Sequence, residues 1–156
     1  MKFILSALCA LMLEIVPLPL WAMYLRPEFL LILMIYWVLA MPYRIGLGTV
    51  WLLGLLADLL HDDLLGERAL LITLIVFIVI KSQARIRLFP MQQQMLTVFL
   101  LVLVFQVLQF LIFYILGGPL PAYPYWLASL TTTLCWPLLS YWLGPFQHNQ
   151  YTRMLI

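Results

Sequence analysis

Two carboxylates, Glu14 and Asp58, sit within long apolar runs. An ionisable group surrounded by hydrocarbon is by default a candidate for function, facing protein or a water-filled cavity. Each also has a structural reading. Asp58 is one turn from the polar cluster His61-Asp62-Asp63 and can serve as a hydrogen-bonding helix terminus at the membrane interface. Glu14 is followed by Pro17 and Pro19, which free backbone carbonyls to which a protonated carboxyl can donate. Asp58, His61 and Asp62 share the i, i+3, i+4 spacing that puts three potential metal ligands on one helical face. At a predicted helix end, with no supporting shell, they read instead as solvated polar residues. The chain has no nucleophile elbow, no zinc-protease His-Glu-x-x-His and no phosphate-cradling glycine loop followed by lysine. No catalytic residue, metal or cofactor is therefore expected.

The elements that position these residues follow from composition. Of 156 residues, 66% are hydrophobic and only 9% charged, whereas a water-soluble domain carries about 25% charged residues. The apolar runs lack the two-residue alternation of barrel strands, so the backbone must satisfy itself in helices. The expected fold class is all-α, a polytopic membrane protein with one transmembrane domain over residues 1–156. Breaking the runs at charges and Gly/Pro punctuation predicts six spans, at 3–22, 29–41, 45–60, 69–80, 95–116 and 125–143. The middle three are short for a hydrocarbon core of about 30 Å. A re-entrant hairpin would shorten the requirement but would bring Arg44 near the bilayer midplane, so six crossings are preferred. Lys2 and the following apolar stretch resemble a signal peptide, but the run continues to Ala22 without a small-x-small cleavage site and reads as a retained first span.

With the N-terminus inside, Lys2, Arg44, Lys81, Arg85, Arg87 and Arg153 face the cytoplasm and only Arg26 and Arg68 face out, with both termini cytoplasmic. Glu28, Asp62, Asp63 and Glu67 collect in the outer loops. Trp21, Tyr24, Tyr123, Tyr125 and Trp126 fall at outer span ends and Tyr141 and Trp142 at an inner one, as interfacial anchors do. The net charge of +2 is too small to suggest nucleic acid as a partner. Lys81 to Gln94 is predicted to be the largest cytoplasmic loop, its cations meeting anionic headgroups or docking a partner. Gly46, Gly48 and Gly54 with Ala57 lighten the third span and predict tight helix packing. Cys9 and Cys135 are expected to be buried free thiols.

Read in order, Arg26-Pro27-Glu28-Phe29, Ile35-Tyr36-Trp37, Pro42-Tyr43-Arg44, Gly46 to Thr49, Gly54 to Leu60 and Leu65 to Leu70 form one pattern. It resembles that of the bacterial rod shape-determining membrane protein MreD family over residues 26 to 80, with weaker agreement around Trp136-Pro137. The resemblance implies a non-enzymatic inner-membrane component of the machinery that builds the lateral wall of rods. Its implied partners are MreC, the glycosyltransferase RodA, a penicillin-binding transpeptidase and, directly or indirectly, MreB. It also implies a helical arrangement similar to the substrate-binding subunits of energy-coupling-factor transporters, which makes small-molecule transport the rival reading.

Carried over residue by residue, the resemblance singles out Pro27, Tyr36, Trp37, Pro42, Arg44, Gly54, Asp58 and Gly66 as structural or partner-interface positions, beside Glu14. Pro27 is expected in a first helical turn, Pro42 at a helix end, Gly54 at a close contact and Gly66 at a turn or helix entry. Relatives commonly carry Gln where this chain has Glu14, and a Ser/Gly-rich loop where it has His61-Asp62-Asp63.

Overall fold

The computed structural model describes residues 2–15, 25–41, 45–61, 65–117 and 123–144. Among them are six α-helices and no strand: α1 (Lys2–Ile15), α2 (Phe29–Ala40), α3 (Leu47–His61), α4 (Glu67–Ile86), α5 (Met91–Ile115) and α6 (Leu127–Leu143), with a 3-10 turn at Tyr123–Trp126 before the last. The all-helical expectation holds.

The helix with no polar face lies in the middle. All ten residues from Leu30 to Leu39 in α2 are buried, as expected of a helix that is apolar all round. It is ringed by α1, α4 and α6, while α3 lies along α4 and reaches α1, and α5 bridges α4 and α6. The end of α1 meets the start of α2, the end of α3 meets the start of α4, and the last turns of α5 meet the start of α6. Sequence neighbours are therefore antiparallel, and α2, α4 and α6 all begin at one end of the bundle.

The outside of this bundle is as apolar as the inside. Large apolar side chains stand exposed on every helix except α2, among them Leu5, Leu56, Leu74, Leu100 and Leu134. Patches of that extent are foreign to a surface in water and fit a lipid solvent. Tyr141 and Trp142, in the last turn of α6, are 85% and 89% exposed, and Trp126 is also exposed. Trp21 and Tyr24 lie outside the described residues. Two helices, α4 and α5, are long and apolar enough to cross a membrane; their 20 and 25 residues correspond to about 30 and 37 Å.

That length for α4 corrects two expectations. The span expected at 69–80 is not short, and Lys81 to Gln94 is not a loop: α4 continues to Ile86 and α5 begins at Met91. Charge does not end a helix. Lys81 and Arg85 carry their charges outward on long apolar stems, and cations suit a helix C-terminus. The chain reverses only over Arg87–Pro90, through Leu88 N–H to Arg85 and Phe89 N–H to Ile86 carbonyl bonds of 3.1 and 3.2 Å. Pro90, at φ −62° and ψ 158°, then serves as the N-cap of α5. The last helix begins at Leu127 rather than Tyr125, which lies in the 3-10 turn.

The small residues of α3 separate into two kinds. A Cβ on Gly54 would lie 2.5 Å from the Ala69 Cα, so α3 and α4 touch there backbone to backbone, as expected. Gly48, and Gly46 just before the helix, have nothing within 4 Å of the same position, so among the described residues neither stands at a close contact like that of Gly54. The cysteines are free, but neither is buried: Cys135 is half-buried and Cys9 is exposed, because it falls on the outward apolar face of α1 with Leu5, Leu8 and Met12.

Candidate functional site

In lipid the transfer of apolar side chains between helix and solvent contributes little, and helix association relies on close packing and interhelical hydrogen bonds. The polar contacts are therefore where this fold is specified. They are concentrated at the end of the bundle where α2, α4 and α6 begin.

Asp58, in the last turn of α3, is 1% exposed. Its Oδ2 accepts the amides of Gly66 and Ala69 at 2.8 and 3.3 Å, and its Oδ1 accepts the Arg68 amide at 3.0 Å. These amides lie at the entry to α4, whose N-cap is Gly66 with φ 98°. A glycine in that role has no side chain with which to satisfy the first-turn amides, as Ser, Thr, Asp or Asn would. Asp58 supplies the missing acceptor from the preceding helix, and its negative charge suits the positive end of the α4 dipole. The helix-terminus reading of Asp58 is thus what the geometry displays. Asp62 and the His61 side chain, its partners in the metal spacing, lie outside the described residues.

Glu14 works similarly at the start of α2. Its Oε1 accepts the Leu30 amide at 3.2 Å, so it is an acceptor for a helix terminus; Pro17 and Pro19, beside which a donor role was expected, lie outside the described residues. The Arg68 guanidinium joins the two helix entries, with Nη1 3.4 Å from Glu28 Oε2 and 3.9 Å from Glu14 Oε1. Glu14 and Arg68 are both shielded from solvent, which strengthens the attraction between their charges.

The remaining helices are tied in by neutral groups. The Glu28 amide donates to Thr132 Oγ1 at 3.0 Å, and that hydroxyl donates to the Ala128 carbonyl at 2.6 Å. The Tyr125 hydroxyl donates to Gln109 Oε1 at 2.7 Å, and Gln106 Nε2 donates to the Tyr125 carbonyl at 3.2 Å. Arg26 Nη2 reaches the Leu13 carbonyl at 3.2 Å. All six helices contribute to this clasp. Tyr125, expected as an interfacial anchor, is instead half-buried and engaged.

The family-pattern residues are spread over both ends of the bundle. Asp58 and Gly66 belong to the clasp, together with Glu14, which departs from the pattern, and Pro27 lies beside it. Pro27 is not in a helical turn, because α2 begins at Phe29 with Glu28 as N-cap; its carbonyl accepts the Phe29 amide at 2.9 Å. Tyr36 and Trp37 lie at the opposite end, where Trp37 Nε1 donates to Ser6 Oγ at 2.9 Å and the Tyr36 hydroxyl donates to the Gly144 carbonyl. Phe3 meets the Trp37 ring edge-on at 5.6 Å. They pin the start of α1 and the end of α6 to the central helix. Gly54 lies between the two ends. Pro42 and Arg44 are outside the described residues, although α2 does end at Ala40, just before Pro42.

The pattern of the family described as "rod shape-determining protein MreD" matches residues 1–143. The chain belongs to the MreD family. The Rod shape-determining protein MreD of Haemophilus influenzae is 33% identical over 131 residues, which cover 82% of this chain and 79% of that protein. No solved structure matches significantly. This MreD family member is thereby linked to rod shape determination, and its two long apolar helices fit a membrane.

Sequence reasoning passed over Arg68, Glu28, Thr132, Gln106 and Gln109 as clasp members. For the glutamines a signal existed: they stand at i and i+3 in an otherwise apolar stretch, the spacing of one helix face.

The left-handed Gly66 yields a first test in this MreD family chain. A Cβ there meets nothing within 4 Å, so Gly66→Ala isolates the backbone term and should destabilise by about 1 kcal/mol. Chemical unfolding in detergent micelles measures it; unchanged stability would show that φ at residue 66 is not held positive.

Proposed function

We propose that this chain is a non-enzymatic scaffold of the cell-wall elongation machinery, crossing the bacterial inner membrane six times with both termini in the cytoplasm. In this reading it binds MreC and the peptidoglycan synthases, RodA and a penicillin-binding transpeptidase, and meets MreB directly or through them. The observation that carries the reading is the family match across residues 1–143. The apolar outer faces of five helices support it, since a protein with that exterior meets partners through helix faces and short loops. The likeness to substrate-binding transport subunits belongs to the same proposal at the level of fold.

Beyond that likeness, a transport reading needs the two carboxylates in apolar surroundings to face a ligand or a water-filled cavity. Asp58 is engaged by three amides and Glu14 by the Leu30 amide and Arg68, so both have a bracing task that needs no ligand. This favours the scaffold.

Depleting the protein from its rod-shaped host should turn rods into spheres, with shape restored by re-expression. Affinity purification in mild detergent should recover MreC and the synthases. Normal rod growth without the protein would refute the proposal.

A further inference from the structure

The exposed face of α4 is one continuous stripe. Leu70, Leu74, Phe77 and Ile78 are exposed on it, followed by Lys81 and Arg85, also exposed. At about 100° per residue these six positions fall within roughly a quarter to a third of the helix circumference. The stripe is therefore apolar along most of its length and cationic at its end. Lys81 Nζ lies 5.6 Å from the centre of the Phe77 ring, which holds the ammonium at the boundary between the two parts. Leu88, 83% exposed in the adjoining turn, continues the apolar surface past the cations.

These cations have no carboxylate near them in the described structure. No Asp or Glu follows Glu67 in the sequence. The described acidic residues Glu14, Glu28, Asp58 and Glu67 all lie at the opposite end, where α1 and α3 finish and α2 and α4 begin. Lys81 is 14 residues beyond Glu67, about 21 Å along the helix. A pair of neighbouring cations at the foot of an apolar stripe is complementary to one class of molecule, an anion carrying acyl chains. We infer that Lys81 and Arg85 form a binding site for the headgroup phosphate of an anionic phospholipid, whose chains lie along Leu74, Phe77 and Ile78. Arg85 offers the forked donors that suit phosphate and Lys81 a point charge. A zwitterionic lipid shares the chains but not the net charge, so the site discriminates by headgroup. The inference rests on the membrane reading above.

The test is native mass spectrometry of the full chain released from neutral detergent after mixing with equal amounts of phosphatidylglycerol and phosphatidylcholine. The first bound lipid should be phosphatidylglycerol, by about five-fold per contributing cation. The K81Q/R85Q variant should bind both lipids equally, and K81R/R85K should keep the preference. Equal binding by the parent chain, or an undiminished preference in K81Q/R85Q, would overturn the inference, as would loss of the preference on adding inorganic phosphate, which would assign the site to the free ion. Carbonate extraction of host membranes separates the two readings. Retention of the chain with equal lipid binding overturns only this inference, whereas release of the chain overturns the membrane reading and this inference with it.

Discussion

Asp58→Ala is expected to destabilise the bundle by about 3 kcal/mol, among the largest effects of any single truncation in the clasp. The substitution removes the acceptor for three amides at the head of α4. Losing an ordinary N-cap costs about 1 kcal/mol, because water replaces the side chain. Here the carboxylate is buried, and orphaned buried donors cost about 1–3 kcal/mol each when water cannot reach them. Local fraying of α4 will admit some water and recover part of the sum. Asp58→Asn should fall between parent and alanine, since it keeps one acceptor oxygen but turns an N–H group toward donors. Equilibrium unfolding in micelles measures the stability, and hydrogen exchange at the amides of residues 66, 68 and 69 locates the cause. Unchanged protection at those amides in Asp58→Ala would show that the carboxylate does not hold the helix entry. Because the family acts in rod shape determination, the same variant should complement depletion poorly in proportion to its lost stability.

The same residue shows how far sequence reasoning reaches. Asp58 could be recognised as a buried carboxylate near a helix end, and Gly66 as a helix entry, but nothing in the intervening residues says that one caps the other. The partnership depends on an αL glycine that leaves the first turn without its own cap. Arg68 was harder still: in Gly66-Glu67-Arg68 it reads as a solvated outer charge, and only the approach of α1 and α2 turns it inward to Glu14 and Glu28. Helices bounded by Gly, Pro or loss of hydrophobicity were legible, so α2 was expected at 29–41 and is Phe29–Ala40. The end of α4 is not legible in this way, because Lys81 reads as a breaker whereas its apolar stem lets the helix continue. Likewise Gly46, Gly48 and Gly54 are alike in sequence, and only the position of Ala69 across the interface distinguishes the last.

That distinction makes Gly54→Ala the second large expected effect, and its sign is the informative part. Helix propensity alone predicts that the change stabilises α3 by about 1 kcal/mol. The interface predicts the opposite, because the new Cβ would stand 2.5 Å from the Ala69 Cα, 3.1 Å from its Cβ and 3.2 Å from its amide nitrogen. Two of these atoms are backbone, so no side-chain rotation relieves the contact and the two helices must separate. We expect a net loss of about 2 kcal/mol, in the range of overpacked cores. Ala69→Gly should not rescue it, since the closest atom is the Cα, which glycine retains. Gly48→Ala, with open space around it, should be neutral or stabilising. Separation of α3 from α4 also lengthens the Ala69 amide bond to Asp58, which at 3.3 Å is the longest of the three. Gly54→Ala and Asp58→Ala therefore act on one interface, and the double variant should lose less stability than the sum of the singles. Strict additivity in micelle unfolding, or a stabilised Gly54→Ala, would mean that close packing at Gly54 and the capping of α4 are independent.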